Sequence, residues 1–159
     1  MAATVRFINP TTLAKPPGYT SVVETTGPGR TVYIAGQLGL DMENKLVGND
    51  FRAQCTKAFE NLKAAVAAVG GSVKDIVKIN NYLTDMSHIG TFREIRDQQL
   101  NMAAPPASTT VAISTLARPG ALFEIEAIAV LPPAKAARPA KARGASRSAK
   151  AKASRRKRK

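Results

Sequence analysis

Residues 50–83 read DFRAQCTKAFENLKAAVAAVGGSVKDIVKINNYL, a helix and then a strand, with two glycines marking the switch. Asp50 offers a side-chain acceptor just ahead of a regular apolar repeat, which suits a helix N-cap. Cys55, Phe59, Leu62, Val66 and Val69 follow at steps of four, three, four and three, so one helical face carries all five. Gly70 and Gly71 end the helix, because glycine takes the left-handed conformation of a C-terminal stop without steric cost. Ile76 to Leu83 then reads as a strand.

Working outward, a second helix is expected from Ile89 to about Asn101, with Phe92 and Ile95 inward and Pro105-Pro106 as its stop. Ser108 to Ser114 and Leu122 to Leu131 form the last two strands, joined across Ala117-Arg118-Pro119-Gly120. Upstream, Val5 to Asn9, Ser21 to Thr26 and Thr31 to Gly36 are further strands, and Gly27-Pro28-Gly29-Arg30 between the last two is a hairpin signal. The order βββαβαββ places two helices on one mostly antiparallel sheet, an α+β domain. Asp41 to Asn49 is polar and turn-like.

Composition sets the limits. The chain has 159 residues, 44% of them hydrophobic, enough for one domain with a core that needs no covalent staple. One cysteine and one histidine exclude an intrachain disulfide and a Cys/His zinc site. The N-terminus lacks a signal-peptide h-region, and no run is long enough to span a membrane; a cytoplasmic protein is expected. Charge is unevenly placed. Residues 133–159 hold 12 of the 24 Lys and Arg residues and no acid, whereas residues 1–132 hold 12 against all 11 acids. The domain therefore ends at Pro132, and the remainder is an Ala/Lys/Arg/Ser/Pro tail with too few large apolar side chains to offset the entropy of ordering.

Several sites can be discounted. There is no Gly-rich phosphate loop, His88 reads as an exposed residue before a helix, and Cys55 reads as a buried inert thiol. The last strand is more informative. Phe123, Ile125, Ala127 and Ala129 share one face, with Glu124 and Glu126 on the other. Two readings stay open: a solvated face, or a carboxyl in a partly apolar cleft, where burial raises its pKa and suits it to moving protons. The neighbouring strand offers Ser108 and Thr110, and these hydroxyls with the carboxylate on adjacent strands would make a small polar site.

The runs RTVYIAGQ, FENLKAAVAAVGG, DIVKINNYLTD, PPASTTVAI and FEIEAIAVLP, in this order, resemble the YjgF/RidA family, also known as the L-PSP endoribonuclease family. The resemblance spans residues 1–132. It implies the chorismate-mutase-like fold, a homotrimer with clefts at the subunit boundaries, no cofactor and no metal, and hydrolysis of reactive 2-imino or enamine acids to ammonia and a 2-keto acid. Carried over residue by residue, it implies that Tyr19, Gly36, Gln37 and Glu124 keep the family's cleft residues, Glu124 helping to position the attacking water. Four positions depart: Ala35 stands where active deaminases have serine, Ser108 where they have the carboxylate-binding arginine, Thr110 where they have cysteine, and Arg93 where they have asparagine. A serine hydroxyl cannot reproduce two parallel guanidinium–carboxylate bonds, so altered specificity is expected. Arg93, on the second helix, either re-enters the cleft from another wall or is an ordinary surface arginine in the charged set Arg93, Glu94, Arg96, Asp97. A small-metabolite-binding trimer without turnover remains an alternative.

The tail suggests a separate partner. Its cations, densest at Lys150, Lys152, Arg155, Arg156, Lys157, Arg158 and Lys159, resemble those of linker-histone tails. Aromatic residues are absent, so DNA or RNA would be held through phosphates without sequence preference. A nucleic-acid-associated protein is therefore a further alternative, with the trimer displaying three tails and a nucleoid location following from that.

Overall fold

In the computed structural model, which describes residues 3–133, the first helix (α1, Phe51–Ala68) starts where the cap predicts: the Asp50 carboxylate accepts from the Ala53 amide at 2.9 Å. It ends at Gly70, which has φ +80, as the Gly70 amide donates to Ala67 and the Gly71 amide to Val66, the paired bonds of a Schellman stop. Cys55, Phe59, Leu62 and Val66 are buried as the repeat requires. Val69 is the exception. It is the C-cap and is exposed, because the chain leaves the helical path at that residue.

The element order is β1 (Thr4–Ile8), β2 (Val22–Thr26), β3 (Arg30–Leu38), α1, β4 (Ile76–Leu83), α2 (Ile89–Gln99), β5 (Ala107–Ala112) and β6 (Phe123–Leu131). This is the predicted βββαβαββ. The pairing differs from expectation in two ways. There are two sheets: a ribbon of β1 and β2, and a four-stranded sheet in the order β3-β6-β4-β5. The expected hairpin across Gly27–Arg30 does not form, since β2 pairs with β1 and β3 pairs with β6. Within the larger sheet β4 and β5 are parallel, because α2 carries the chain back to the starting end of β4, as parallel pairing demands.

α1 and α2 cover one face of the four-stranded sheet. Phe123, Ile125, Ala127, Ala129 and Leu131 alternate inward from β6 and all are buried. They meet Phe59 and Phe92, whose ring centroids lie 5.9 and 5.6 Å from that of Phe123, within the range of favourable aromatic pairs. Gln54 is fully buried among these apolar groups. Its Nε2 donates to the carbonyls of Gly48 and Gly120 and its Oε1 accepts from the Leu122 amide, so a polar side chain joins two loops to α1 with its amide satisfied at both ends. The opposite face of the sheet carries Tyr33, Lys78, Asn80, Tyr82, Glu124 and Glu126 and has no element of this chain packed on it among the described residues.

Candidate functional site

The sequence singles out residues that the fold distributes over both faces of the sheet. On the helix-covered side, β5 turns Ser108 and Thr110 toward α2. Between them and β4 lies Asn81, fully buried, whose Nδ2 sits 3.1 Å from each hydroxyl and 3.0 Å from the Thr109 carbonyl, while its Oδ1 has no partner among the described residues. The loop preceding β2 closes the same region. Thr20 is buried and bonded to the carbonyls of Pro105 and Pro106, which carries Tyr19 to the end of α2. A cleft of about 490 Å³ results, lined by Tyr19, Phe92, Arg93, Arg96, Ser108 and Thr110 among others. Four of the predicted site residues, Tyr19, Arg93, Ser108 and Thr110, therefore share one cleft.

The carboxylate side lies elsewhere. β4 separates β5 from β6, so the expectation of Ser108, Thr110 and Glu124 on adjacent strands is not met, and Glu124 projects from the face opposite those hydroxyls. Glu124 faces β3 where its register with β6 shifts between Ile34 and Gln37. A Cβ on Gly36 would overlap the Glu124 carboxyl, so the absence of a side chain there is what admits the glutamate. Gln37 turns its amide back onto the Ala35 carbonyl at 3.0 Å. Ala35 belongs to the same open face, beside Lys78, Asn80 and Glu126.

The two glutamates differ in their surroundings. Glu126 accepts from Asn80 Nδ2 at 2.7 Å and from the Tyr82 hydroxyl at 3.0 Å. Glu124 has no hydrogen-bond donor among the described residues, and burial, with a contribution from the negative charge of Glu126, pushes its pKa above the usual glutamate value. A carboxyl so placed is better suited to taking up and returning a proton than an ordinary solvated glutamate. On the same face, burial lowers the Lys78 pKa. The Tyr82 pKa is raised because its hydroxyl donates to Glu126.

Two residues depart from their sequence reading, and a third has none. His88 is half-buried rather than exposed: its ring stacks on Phe51 at a centroid distance of 4.5 Å, and it caps α2 through its backbone position. Arg96 is no surface residue; it is 6% exposed and faces the cleft. Asn81 was passed over, although an asparagine in register with Ile79 and Leu83 has to point into the core. Cys55 behaves as read, buried with its thiol pushed up to about 12. Among the described residues no helix is long and apolar enough to cross a membrane.

Residues 12–131 match the family described as Endoribonuclease L-PSP. The chain belongs to that family. Among its relatives, a 2-iminobutanoate/2-iminopropanoate deaminase of the mite Dermatophagoides farinae is 32% identical over 104 residues, covering 65% of this chain and 80% of the relative. Among solved structures, the Rid-family protein YyfB of Yersinia pestis superposes with a TM-score of 0.70 at 31% identity, covering 80% of this chain and 98% of that one. RidA from the Antarctic bacterium Psychrobacter sp. PAMC 21119 follows with a TM-score of 0.61 at 38% identity, covering 74% and 92%. These likenesses agree with the YjgF/RidA resemblance and with an α+β domain of two helices on a mixed sheet. The tail cations from Lys150 to Lys159 lie outside the described residues.

Proposed function

We propose that this L-PSP-family chain is a cofactor-free hydrolase of small reactive imines or enamines, working as a homotrimer with its specificity altered by the loss of an arginine at position 108. The observation that carries the reading is the division of the site. Tyr19, Arg93, Ser108 and Thr110 line a cleft on the helix-covered side, while Glu124, a carboxyl with a raised pKa and no donor among the described residues, stands on the other face. A wall that binds and a wall that moves protons can face each other only if neighbouring subunits supply one each. The uncovered sheet face calls for such a neighbour, since a sheet packed on its helices by one face needs cover for the other.

The chemistry follows from the groups present. Water adds to the imine carbon as the Glu124 carboxylate takes its proton. That proton passes on to the imine nitrogen to give a neutral carbinolamine. The same carboxylate then takes the carbinolamine hydroxyl proton and delivers it to nitrogen as the C–N bond breaks, so that ammonia departs and the carbonyl compound remains. One carboxyl serves both transfers, which a raised pKa favours. Freshly generated imines of several amino acids, with ammonia release followed against the uncatalysed rate, provide the test. Acceleration of at least one imine supports the reading. Binding of the matching keto compounds with no acceleration of any imine replaces it by the non-catalytic metabolite-binding trimer.

A second proposal rests on the charge asymmetry alone: the net +12 of residues 133–159 binds DNA or RNA through phosphates. Counterion release then governs affinity, with log K falling against log salt by about 0.9 per phosphate neutralised on duplex DNA. Full-length protein and a chain ending at Pro132 should differ strongly at low salt. Equal binding by both removes the proposal.

A further inference from the structure

Arg96 is the buried cation of the cleft, and its surroundings leave part of it unused. It lies three residues beyond Arg93 on α2, yet Arg93 is exposed and Arg96 is 6% exposed. An enclosed guanidinium is strongly destabilising unless anions or acceptors compensate it. The compensation found here is partial. Nε and Nη2 both reach the same oxygen of Asp97, each at 2.8 Å, and the Asp97 side chain is 51% exposed. Nη1 has no acceptor among the described residues. The side chain is nonetheless fixed in place. Its carbon Cζ lies 5.8 Å from the centre of the Phe92 ring, a cation–π distance, and Nη2 lies so close to Gly18, at φ +83, that a Cβ there would overlap it. None of the residues lining the cleft is an acid.

We infer that Arg96 is the anion anchor of this cleft and that the ligand it selects is a small compound bearing a carboxylate. A guanidinium held on Asp97 through Nε and Nη2, with Nη1 left without an acceptor among the described residues, suits a carboxylate, which accepts charge-assisted hydrogen bonds from it. The hydroxyls of Ser108 and Thr110 and of Tyr19 share the same cleft and can meet the uncharged part of the ligand. Arg93, at the exposed rim, acts through solvent and is screened by salt. Arg96 acts from inside the wall and is screened much less. The inference rests on the site proposed above and deepens it: the carboxylate grip has not been lost with an arginine on β5 but is supplied from α2, so the ligand is held from a different wall.

The test measures binding rather than turnover, so that it is decided independently of hydrolysis. Calorimetry on the full chain compares pyruvate with its neutral amide, pyruvamide. Wild type should bind pyruvate more tightly than the amide. Arg96→Gln should weaken pyruvate on the order of 10–100-fold, the range expected for hydrogen bonds to a charged group, and change pyruvamide less than about twofold. Arg96→Lys should recover part of the loss. The Arg93→Gln effect should be smaller and should vanish at high salt, while that of Arg96→Gln persists. Asp97→Asn guards against an Arg96 variant that fails to fold: it removes a competing anion from a half-exposed position, so pyruvate should bind more tightly and pyruvamide unchanged. Absence of saturable pyruvate binding at millimolar concentration, equal losses for both ligands in Arg96→Gln, or an Asp97→Asn protein with unimproved pyruvate affinity each overturns the assignment. A wild type that binds pyruvate through Arg96 but hydrolyses no imine leaves it standing and removes only the hydrolase.

Discussion

The wall built from α2 and β5 and the wall built from β3 and β6 are opposites. The first presents two arginines and three hydroxyls and lines its cleft with no acid. The second presents two carboxyls, one satisfied by Asn80 and Tyr82 and one without a donor among the described residues. They occupy opposite faces of one sheet with β4 between their strands. The contrast teaches that the basic, hydroxyl-bearing groups and the carboxyls of this fold are set on separate walls. On the function proposed above, substitutions on α2 would alter what is held and leave untouched the carboxyl assigned to proton transfer.

The sharpest way to break the comparison is to remove the chemistry alone. Glu124→Gln should lower imine hydrolysis by about 10²–10⁴ while leaving pyruvate affinity near that of wild type, read by parallel rate and binding measurements. A matched fall in both would mean that the β6 wall also binds. Gly36→Ala attacks the same wall indirectly. The new Cβ displaces the Glu124 carboxyl, and a misplacement of that size should cost roughly 10² in rate, with the carboxyl still present and titrating.

Subunit mixing sharpens the comparison further. If the walls come from neighbouring chains, co-expressed Glu124→Gln and Arg96→Gln subunits should regain activity at roughly one site in four, by random assembly of a cyclic oligomer. Walls meeting within a chain would give no active site in the mixture beyond those of the parents. The smallest effect is on stability. The raised Glu124 pKa means that the folded chain holds this proton more tightly than the unfolded one. The carboxyl therefore favours folding below the ordinary glutamate range, and that contribution is lost as pH rises through the raised value. Glu124→Gln should thus gain Tm relative to wild type at neutral pH, and the gain should shrink toward about pH 3.5. Calorimetric scans at the two pH values check the sign.

What the sequence disclosed of these walls followed from periodicity. The spacing from Cys55 to Val66 and the alternation along β6 fix which residues face the core, because side-chain direction is a local property of helix and strand. Strand pairing is not local. Gly27–Arg30 has a fitting turn composition, yet the strands on either side diverge to different sheets, and nothing in β5 or β6 reveals that β4 will lie between them. That is why Glu124, Ser108 and Thr110 could be read as neighbours. Arg96 illustrates a different failure. It sits in a charged run that resembles a solvated face, but it lies four residues from Phe92, the same stripe that a helix turns inward. Weight given to the register rather than to the charge would have found it, and Asn81 likewise.

Gln54 has a consequence of its own. Its amide ties α1 to carbonyls 6 and 66 residues away and to an amide 68 residues away, spans of the kind that small secreted domains often close with cystines. Here the cross-link is made of hydrogen bonds, in a chain whose single thiol is sealed in the core. The tie needs no oxidant to form and no reductant to release. The same arrangement can hold in a reducing compartment or an oxidising one, and after denaturation it can be rebuilt without any partner to shuffle.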